Sequence, residues 1–344
     1  MARWRPAAVL ALLSVLAVVG GCVDENEPPP PRHQLDVVVN IFPIHWLAEQ
    51  IGGDVVSVQS IEAEPHEHGD EADHETQLSE PDKELIRQAD ANLFAGNMSS
   101  DLRKTLTDWQ QKNPEARLYD ISELKKLDLK PGPPELAEDL VADGLDPHFW
   151  MDPLRMTHAA QWVNNQLLSA VSLDEALKTS APEYREEMQG RLEDVKETLE
   201  KLHDELDDPI LKGCSGRSIV PEHPAFMYLA EQYDLHQFAV SSLWSKDLTP
   251  QVRSQREKDL EELFRSDPKP AFFYTIDKDL SNKDRNELSR LASEYGETPG
   301  FLDSLEERPA LTDPDGKKID DYPEAMRANA RNIATEFRCG YAGS

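Results

Sequence analysis

Residues 180–209, SAPEYREEMQGRLEDVKETLEKLHDELDDP, carry one apolar stripe through a highly charged stretch. The stripe consists of apolar side chains spaced by three or four positions: Tyr184, Met188, Leu192, Val195, Leu199, Leu202 and Leu206. This spacing is typical of one face of an α-helix. Ser180 is placed to cap that helix, Pro182 lies in its first turn and Pro209 stops it. We therefore predict a helix about 40 Å long.

A coiled-coil segment is the alternative interpretation of this stripe. The stripe covers only about four heptads. Patterns of strands alternating with helices lie on both sides of it. These flanking patterns favour a helix that joins two parts of one chain.

Short runs rich in β-branched and aromatic residues lie before and after the predicted helix. The four earlier runs are LDVVVNIF (35–42), VVSVQSI (55–61), ANLFAG (91–96) and ARLYDI (116–121). The four later runs are RSIVPEH (217–223), HQFAVSSL (236–243), PAFFYTID (270–277) and ETPGFLD (297–303). Strands that alternate with helices predict parallel sheets.

The sequence therefore predicts an α/β protein with two (β/α)4-like lobes, whose parallel sheets are joined by a long rigid backbone helix. We place the N-terminal α/β lobe at residues 35–177, the linking helix at 178–209 and the C-terminal α/β lobe at 210–344. The chain length agrees with two lobes, because a single hydrophobic core stops growing at about 250–300 residues.

The chain begins MARWRPAAVLALLSVLAVVGGC, with two arginines ahead of a short apolar run. This pattern is typical of an export signal. Its Val-Gly-Gly-Cys ending resembles the lipobox of bacterial lipoproteins, in which the cysteine carries the lipid. We predict a lipoprotein signal peptide over residues 1–22, with Cys22 lipidated, and a Pro-rich tether over 23–34. An uncleaved anchor helix is the alternative. Either way, the body of the protein is expected outside the cytoplasmic membrane.

The formal charge of −30 limits the classes of partner. Nucleic-acid phosphates bind clustered Lys and Arg side chains, and the sequence has no such cluster. We therefore expect no nucleic-acid partner and interpret the dispersed acidity as a solvated surface.

The three cysteines of the chain can be divided by their expected roles. If Cys22 carries lipid, Cys214 and Cys339 remain as a pair. A disulfide between them would join the end of the chain to the start of the second lobe. Two separate buried thiols are the alternative.

Candidate metal ligands occur in four stretches, each in a loop or at the end of a strand. These are EAEPHEHGDEADHET (62–76), DPHFWMDP (146–153), PEHPAFMYLA (221–230) and FLDSL (301–305). In open α/β sheets, ligands bind beyond the carboxyl ends of the strands, so side chains from both lobes can converge there. Imidazole nitrogen and carboxylate oxygen suit a borderline ion such as Zn²⁺.

The sequence gives little support for an enzyme. No HExxH, GxSxG or GxxxxGK[ST] motif occurs in it. A zinc ion held by four protein ligands leaves no open position for a substrate water, whereas catalytic zinc keeps one. We therefore expect a metal carrier and no catalytic residues.

Together these stretches make the chain similar to the zinc and manganese solute-binding lipoproteins of bacterial ABC transporters, from about residue 36 to about residue 338. The family's opening strand and helix are matched by NIFPIHWLAEQIGGDVVSV, and its first ligand segment by HETQLSEPDKELIRQADANLFAGN. DPHFWMDP, EHPAFMYLAEQYDL and FLDSL follow in the family's order.

The resemblance implies a set of metal ligands: His74, His148, His223 and Asp303. Manganese members of the family use two histidines and two carboxylates, whereas zinc members use three histidines. A third imidazole at His223 is the more nitrogen-rich choice and favours Zn²⁺ over Mn²⁺.

The resemblance also implies the function. We expect a monomeric, lipid-anchored, extracytoplasmic protein that binds zinc with high affinity and delivers it to an ABC-transporter permease. A manganese-specific solute-binding protein is the first alternative. The others are an envelope metallohydrolase, with Glu67 or Glu75 as the base, and an adhesin that metal stabilises.

The remaining histidines fall into two groups. His66 and His68 are surplus to the predicted ligand set, and they form either an accessory metal-collecting loop or a solvated insertion. The others are expected to make structural hydrogen bonds only: His33, His45, His158, His203 and His236.

Overall fold

Two four-stranded sheets, in which every pair of neighbouring strands is parallel, form the framework of the protein. The computed structural model describes residues 33–61, 78–98, 100–114, 117–132, 144–240, 249–265, 267–276, 282–313 and 315–340. The predicted signal peptide with Cys22, most of the predicted tether, and His66, His68 and His74 lie outside these described residues.

The first sheet has the strand order β2-β1-β3-β4. Its strands are β1 (Leu35–Val39), β2 (Val56–Ser60), β3 (Ala91–Phe94) and β4 (Leu118–Asp120). The accompanying helices are α1 (Phe42–Gly52), α2 (Glu80–Gln88), α3 (Ser100–Lys112) and α4 (Pro153–Leu173).

The second sheet has the order β6-β5-β7-β8, which repeats the order of the first. Its strands are β5 (Ser218–Pro221), β6 (His236–Gln237), β7 (Ala271–Ile276) and β8 (Gly300–Asp303). Its helices are α6 (Met227–Gln232), α7 (Pro250–Arg265), α8 (Asn282–Tyr295) and α9 (Tyr322–Phe337). Both sheets therefore reverse their strand order beside the first strand of the lobe, where ligands of open α/β sheets bind.

The two-lobe α/β prediction is confirmed, and each of the eight predicted runs contains a strand. Most strands end earlier than the run that predicts them. The largest difference is β6, which covers only His236–Gln237 of the predicted 236–243. Beyond β6 the chain still runs beside β5, because the Phe238 and Val240 amides donate to the Ile219 and Pro221 carbonyls over 3.0 and 3.1 Å. Residues 241–243 of the predicted run lie outside the described residues.

Both faces of each sheet are covered, as expected of parallel sheets. In β1, Val37 and Val39 belong to the main apolar core, while the alternate residue Val38 packs into a separate layer with Ile86 and Phe94. In β7, Phe273 faces the main core and Phe272 faces the outer layer. Successive residues of a strand thus face two different apolar layers, which explains why the strand sequences are continuous apolar runs.

The long helix between the sheets is α5 (Ala181–Glu205), whose 25 residues give a length of about 38 Å. Its predicted stripe is buried except at Tyr184, which is half-buried and packs against the core. The capping prediction for Ser180 is wrong, because Ser180 ends a short 3-10 helix and its side chain caps no amide. Beyond the helix, Leu206–Ile210 form a wider π turn that contains Pro209.

The two lobes share a single apolar core. The main cluster includes residues of β1, α1, α4 and α5 together with residues of β5, α6 and α9. Hydrogen bonds also cross between the lobes: Trp46 Nε1 donates to Asp321 Oδ1 over 2.9 Å, and the Tyr322 hydroxyl donates to the Trp150 carbonyl. A wide rotation of one lobe against the other would have to break this packing.

A disulfide joins Cys214, just after the linking helix, to Cys339, just after α9. The two cysteines are 125 positions apart in the chain. Beside the disulfide, the Gly340 amide donates to the Lys212 carbonyl over 2.7 Å. The disulfide and this hydrogen bond thus connect the beginning of the second lobe, next to the linking helix, to its end.

Within the described parts of the chain, no helix combines the length and the hydrophobicity needed to cross a lipid bilayer.

We expect the double substitution Cys214→Ser and Cys339→Ser to lower the free energy of unfolding by about 2–5 kcal/mol, because the disulfide closes a long loop in the unfolded chain. Urea unfolding of the metal-free protein, followed by circular dichroism, measures this change. Reduction of the wild-type protein should reproduce most of it. Equal urea midpoints for the oxidised wild type and the double variant would contradict the prediction.

Candidate metal centre

Three side chains meet at the carboxyl ends of the strands: His148, His223 and Glu306. His148 lies in the short connection that leads into the 3-10 turn Phe149–Met151 and then α4. His223 lies two residues after β5, and Glu306 lies three residues after β8. The site therefore takes ligand atoms from both lobes.

The three facing atoms form a compact triangle. His148 Nε2 is 3.0 Å from Glu306 Oε1 and 3.4 Å from His223 Nε2. His223 Nε2 is 3.7 Å from Glu306 Oε1. Two ligand atoms on one tetrahedral zinc ion lie about 3.3 Å apart when each is about 2.0–2.1 Å from the metal. The triangle thus has the size of one face of a zinc coordination tetrahedron.

The burial of the three side chains is uneven. The side chain of His148 is 2% exposed, whereas those of Glu306 and His223 are 17% and 23% exposed. His148 therefore forms the floor of the centre. The solvent-facing side of the centre is formed by His223 and Glu306.

The imidazole of His148 is oriented by Asp146, two positions earlier in the same motif. Asp146 Oδ1 accepts hydrogen bonds from His148 Nδ1 at 2.7 Å and from the His148 backbone amide at 2.8 Å. The ring of Trp150 lies edge-on to the imidazole, with centroids 5.2 Å apart. Because Nδ1 is occupied, Nε2 is the atom left to face the other two ligands.

The metal-free site holds a proton on His148. Burial by itself lowers the pKa of this imidazole. The negative charge of Asp146 and the hydrogen bonds to Asp146 and Glu306 outweigh that effect, and together they raise the pKa above its ordinary value, to about 10. The imidazole is therefore charged at neutral pH. A metal ion must displace this proton, since a coordinating histidine is neutral.

The backbone holds His223 in place. Its amide donates to Thr275 Oγ1 at the end of β7 over 3.1 Å. The preceding side chain, Glu222, is fully buried and accepts the Thr275 amide over 3.0 Å. Arg285 donates to the Thr275 carbonyl over 3.0 Å. This network fixes the turn after β5, from which the imidazole projects.

Among the described residues, the carboxylate that lies beside the two imidazoles is Glu306 and not the predicted Asp303. Asp303 is not part of the metal-binding group found among the described residues. It is buried, and its two oxygens accept the backbone amides of Leu305 and Ala310 at 2.9 and 3.0 Å. Glu306, three positions later, faces the imidazoles instead. The acidic pair Glu306–Glu307 after FLDSL was the only sequence signal for it.

The structure brings His148 and His223 together, as predicted, but it does not describe His74, His66 or His68. The segment that contains these three follows β2 and precedes α2. At its far end, Ser79 caps α2 in a reciprocal capping box with Asp82. Both ends of this segment are thus well-defined elements of the first lobe.

The histidines that were expected to be structural lie outside the metal-binding group. His45 is buried and bonds to Ser60 Oγ through Nδ1 at 2.9 Å, and burial lowers its pKa. His33 lies 3.3 Å from Asp174, and His203 lies 3.3 Å from the Tyr233 hydroxyl. His158 and His236 are exposed.

Comparison with known proteins shows which family the sequence resembles. The sequence model of the ZnuA family, described as zinc-uptake complex component A, periplasmic, matches residues 37–336. The zinc-binding lipoprotein AdcA of Streptococcus pneumoniae is 27% identical over 310 residues, which cover 87% of this chain and 55% of AdcA. The high-affinity zinc uptake system protein ZnuA of Bacillus subtilis is 25% identical over 264 residues, covering 73% of this chain and 75% of that protein.

The fold is also found among solved structures. The crystal structure of Zn(II)-bound AdcA from Streptococcus pneumoniae superposes with a TM-score of 0.61 at 22% identity, covering 90% of this chain and 59% of that chain. The chain thus spans about half the length of the AdcA lipoproteins that it matches. At this level of identity the superposition shows the fold alone.

We expect Asp146→Asn to lower the pKa of His148 and to weaken metal binding by about 10–100-fold, because the imidazole loses the carboxylate that orients it. NMR titration of the metal-free protein measures the pKa, and competition with a chelator measures the affinity. Asp152→Asn is the matched control. Asp152 lies in the same DPHFWMDP motif as Asp146, but its side chain caps α4 and does not contact His148 Nδ1. Equal effects of the two substitutions would contradict the assigned role of Asp146.

Proposed function

Because the chain belongs to the ZnuA family, zinc-uptake complex component A, periplasmic, we propose that it is an extracytoplasmic solute-binding protein that binds one zinc ion and delivers it to an ABC-transporter permease. Two curated relatives that it matches are named as zinc-binding or zinc-uptake proteins. Zinc is the cargo in this proposal, not a catalytic cofactor.

The observation that carries the proposal is the triangle of His148 Nε2, His223 Nε2 and Glu306 Oε1. Its edges of 3.0, 3.4 and 3.7 Å match one tetrahedral face around zinc. These atoms belong to residues far apart in the chain, on two lobes, and each is held by its own hydrogen-bonded support. Such an arrangement is preorganised to bind an ion between the lobes.

The fourth ligand in this proposal is His74. Its support is the resemblance of HETQLSEPDKELIRQADANLFAGN to the first ligand segment of the family, together with the neighbouring elements. The segment that contains His74 begins after the carboxyl end of β2, at the edge of the first sheet where ligands bind. His66 and His68 lie in the same segment, and we propose that they collect metal near the site.

The donor set favours zinc over manganese. Three imidazoles and one carboxylate make a nitrogen-rich site, and imidazole suits zinc, whereas manganese prefers oxygen ligands. Glu306 contributes the single carboxylate of the described group. A tetrahedral arrangement also has fewer ligands than the octahedral oxygen sites typical of manganese.

The proposal treats the protein as a carrier and not as an enzyme. Four protein ligands close a zinc site, so no position remains for an activated water. The metallohydrolase alternative, with Glu67 or Glu75 as base, requires such a position. Hydrolysis of ester or peptide substrates by the zinc-loaded protein would favour it, and no described residue group supports it.

The proposed cellular location of the protein rests on the sequence of its N-terminal residues. Cys22 carries the lipid, residues 23–34 form a spacer, and the two lobes stand as a monomer on the outer side of the membrane beside the permease. The resemblance of VGGC to a lipobox and the four consecutive prolines that follow support this arrangement. Mass spectrometry of the envelope protein, with and without the Cys22→Ala substitution, tests for the lipid.

Release of zinc is proposed to use local movement. The lobes share one core, so a wide hinge opening would expose much apolar surface. The more exposed ligands, His223 and Glu306, lie at the ends of short loops after β5 and β8. Because hydrogen bonds hold the backbones of these loops, rotation of the two side chains is the local movement that would open the coordination face.

We expect the purified protein to bind one zinc ion and to melt at a higher temperature when loaded, because zinc binds the folded state. His148→Ala and His223→Ala should each abolish most of this thermal shift. His158→Ala is the control, since His158 is an exposed histidine outside the site. Calorimetry gives the stoichiometry and differential scanning fluorimetry gives the shift. A full shift in both site variants would disprove the proposed site.

Zinc affinity is expected to rise by about tenfold per pH unit between pH 7.5 and 8.5. Ordinary imidazoles are already neutral in this window, but the His148 imidazole, with a pKa of about 10, still has to lose its proton. Titration in buffers of different ionisation enthalpy measures the proton that zinc displaces. In Asp146→Asn the slope should flatten. An affinity that is constant over this window in the wild type would contradict the protonation of His148.

A further inference from the structure

The loop that carries Glu306 is closed by one buried carboxylate. We call residues 304–309 the Glu306 loop. Asp303, the last residue of β8, accepts the Leu305 amide on Oδ1 at 2.9 Å and the Ala310 amide on Oδ2 at 3.0 Å. Asp303 is 4% exposed. Its two oxygens therefore connect the start of the loop, at Leu305, to the residue that directly follows the loop, Ala310, in a region shielded from water.

The backbone at the start of the loop is in a conformation that needs support. Leu305 has a φ of 59°, in the left-handed region that few residues other than glycine adopt. Its side chain is fully buried. The hydrogen bond from its amide to Asp303 fixes the peptide plane that precedes Leu305. Because Glu306 follows directly, the backbone of Leu305 sets the direction in which Glu306 leaves the sheet.

Asp303 is itself held rigidly by the second lobe. Its amide donates to Asn329 Oδ1 over 2.8 Å, and its carbonyl accepts from Asn329 Nδ2 over 2.9 Å. Asn329 is fully buried on α9. Asp303 thus links a fixed helix to the loop.

The far side of the loop rests on the first lobe. The Glu306 carbonyl accepts the Phe42 amide at the start of α1 over 2.9 Å, and the Ser304 carbonyl accepts Trp150 Nε1 over 2.8 Å. These bonds hold the loop backbone at Ser304 and Glu306, on either side of Leu305. The Leu305 amide between them donates to the Asp303 carboxylate.

From this geometry we propose that Asp303 is a positioning residue that aims the Glu306 carboxylate at His148 and His223 without binding the ion itself. The proposal rests on the zinc-carrier function proposed above and assigns how one ligand of that site is placed. Loss of the Asp303 carboxylate frees the Leu305 backbone, and Glu306 then moves out of the triangle.

The test is a double-mutant cycle of Asp303→Asn and Glu306→Ala, with zinc affinity measured by chelator competition. Asparagine keeps the size of the side chain but cannot accept both amides. We expect Asp303→Asn alone to weaken zinc binding by about 10–100-fold. In the Glu306→Ala background it should change affinity by less than about twofold, because the group it positions is gone.

Asp174→Asn is the matched control, since Asp174 also accepts two backbone amides, those of Ala176 and Leu177. It should leave zinc affinity unchanged. If Asp303→Asn does not fold, Asp303→Glu replaces it, because the longer side chain keeps the charge but moves both oxygens away from the Leu305 and Ala310 amides. An equal loss of affinity in both backgrounds overturns the proposal. The Co(II) absorption spectrum in the Glu306→Ala background tests for direct ligation, because a further loss of coordination number on Asp303→Asn, seen as a large drop in d–d absorption, would make Asp303 a ligand and overturn the proposal.

A crystal structure of metal-free Asp303→Asn tests the placement without zinc. We expect Glu306 Oε1 to move away from His148 Nε2, from which it lies 3.0 Å in the wild type. An undisplaced Glu306 overturns the positioning role. A wild-type protein that does not bind zinc overturns the proposed function instead, and it leaves this structural result interpretable by itself.

Discussion

The burial of the apolar face of α5 is the constraint on which the rest of the molecule depends. Its side chains from Met188 to Leu202 are removed from water between the two lobes. Each fully buried aliphatic side chain contributes about 1.5–3 kcal/mol relative to an exposed one. Because α1, α4 and α9 join the same cluster, the lobes are two ends of one core. The centre between them inherits its stiffness from that packing.

The sequence predicted the parts of the structure that follow from periodicity. Alternating strand and helix patterns predicted eight strands and the linking helix, and motif order predicted that His148 and His223 lie close together. Which carboxylate lies beside the imidazoles could not be predicted, because it depends on a turn. Asp303 and Glu306 are both acidic and three positions apart, and only the left-handed backbone of Leu305 and the amides of Leu305 and Ala310 decide which one faces the imidazoles. Ser180 was missed as a cap for a similar reason, since a 3-10 turn precedes the helix.

The charges of the centre show how a buried acidic site remains folded without its ion. Asp146 and Glu306 place two carboxylates against one imidazole, and the proton on His148 offsets one of them. When a divalent ion replaces that proton, it offsets both carboxylates. The site therefore never holds a large unbalanced charge in a buried position, which would be costly. The dispersed negative charge of the surface acts at longer range and raises the local concentration of cations.

The shared core also determines how the protein resists degradation. A protease cleaves a folded chain mainly through partly open states, in which one structural unit has separated while the rest stays intact. When two lobes are built on one cluster and the second is closed by the Cys214–Cys339 disulfide, separation of either lobe exposes the interior of both. Such half-open states are therefore high in free energy, so the two lobes lose their structure together.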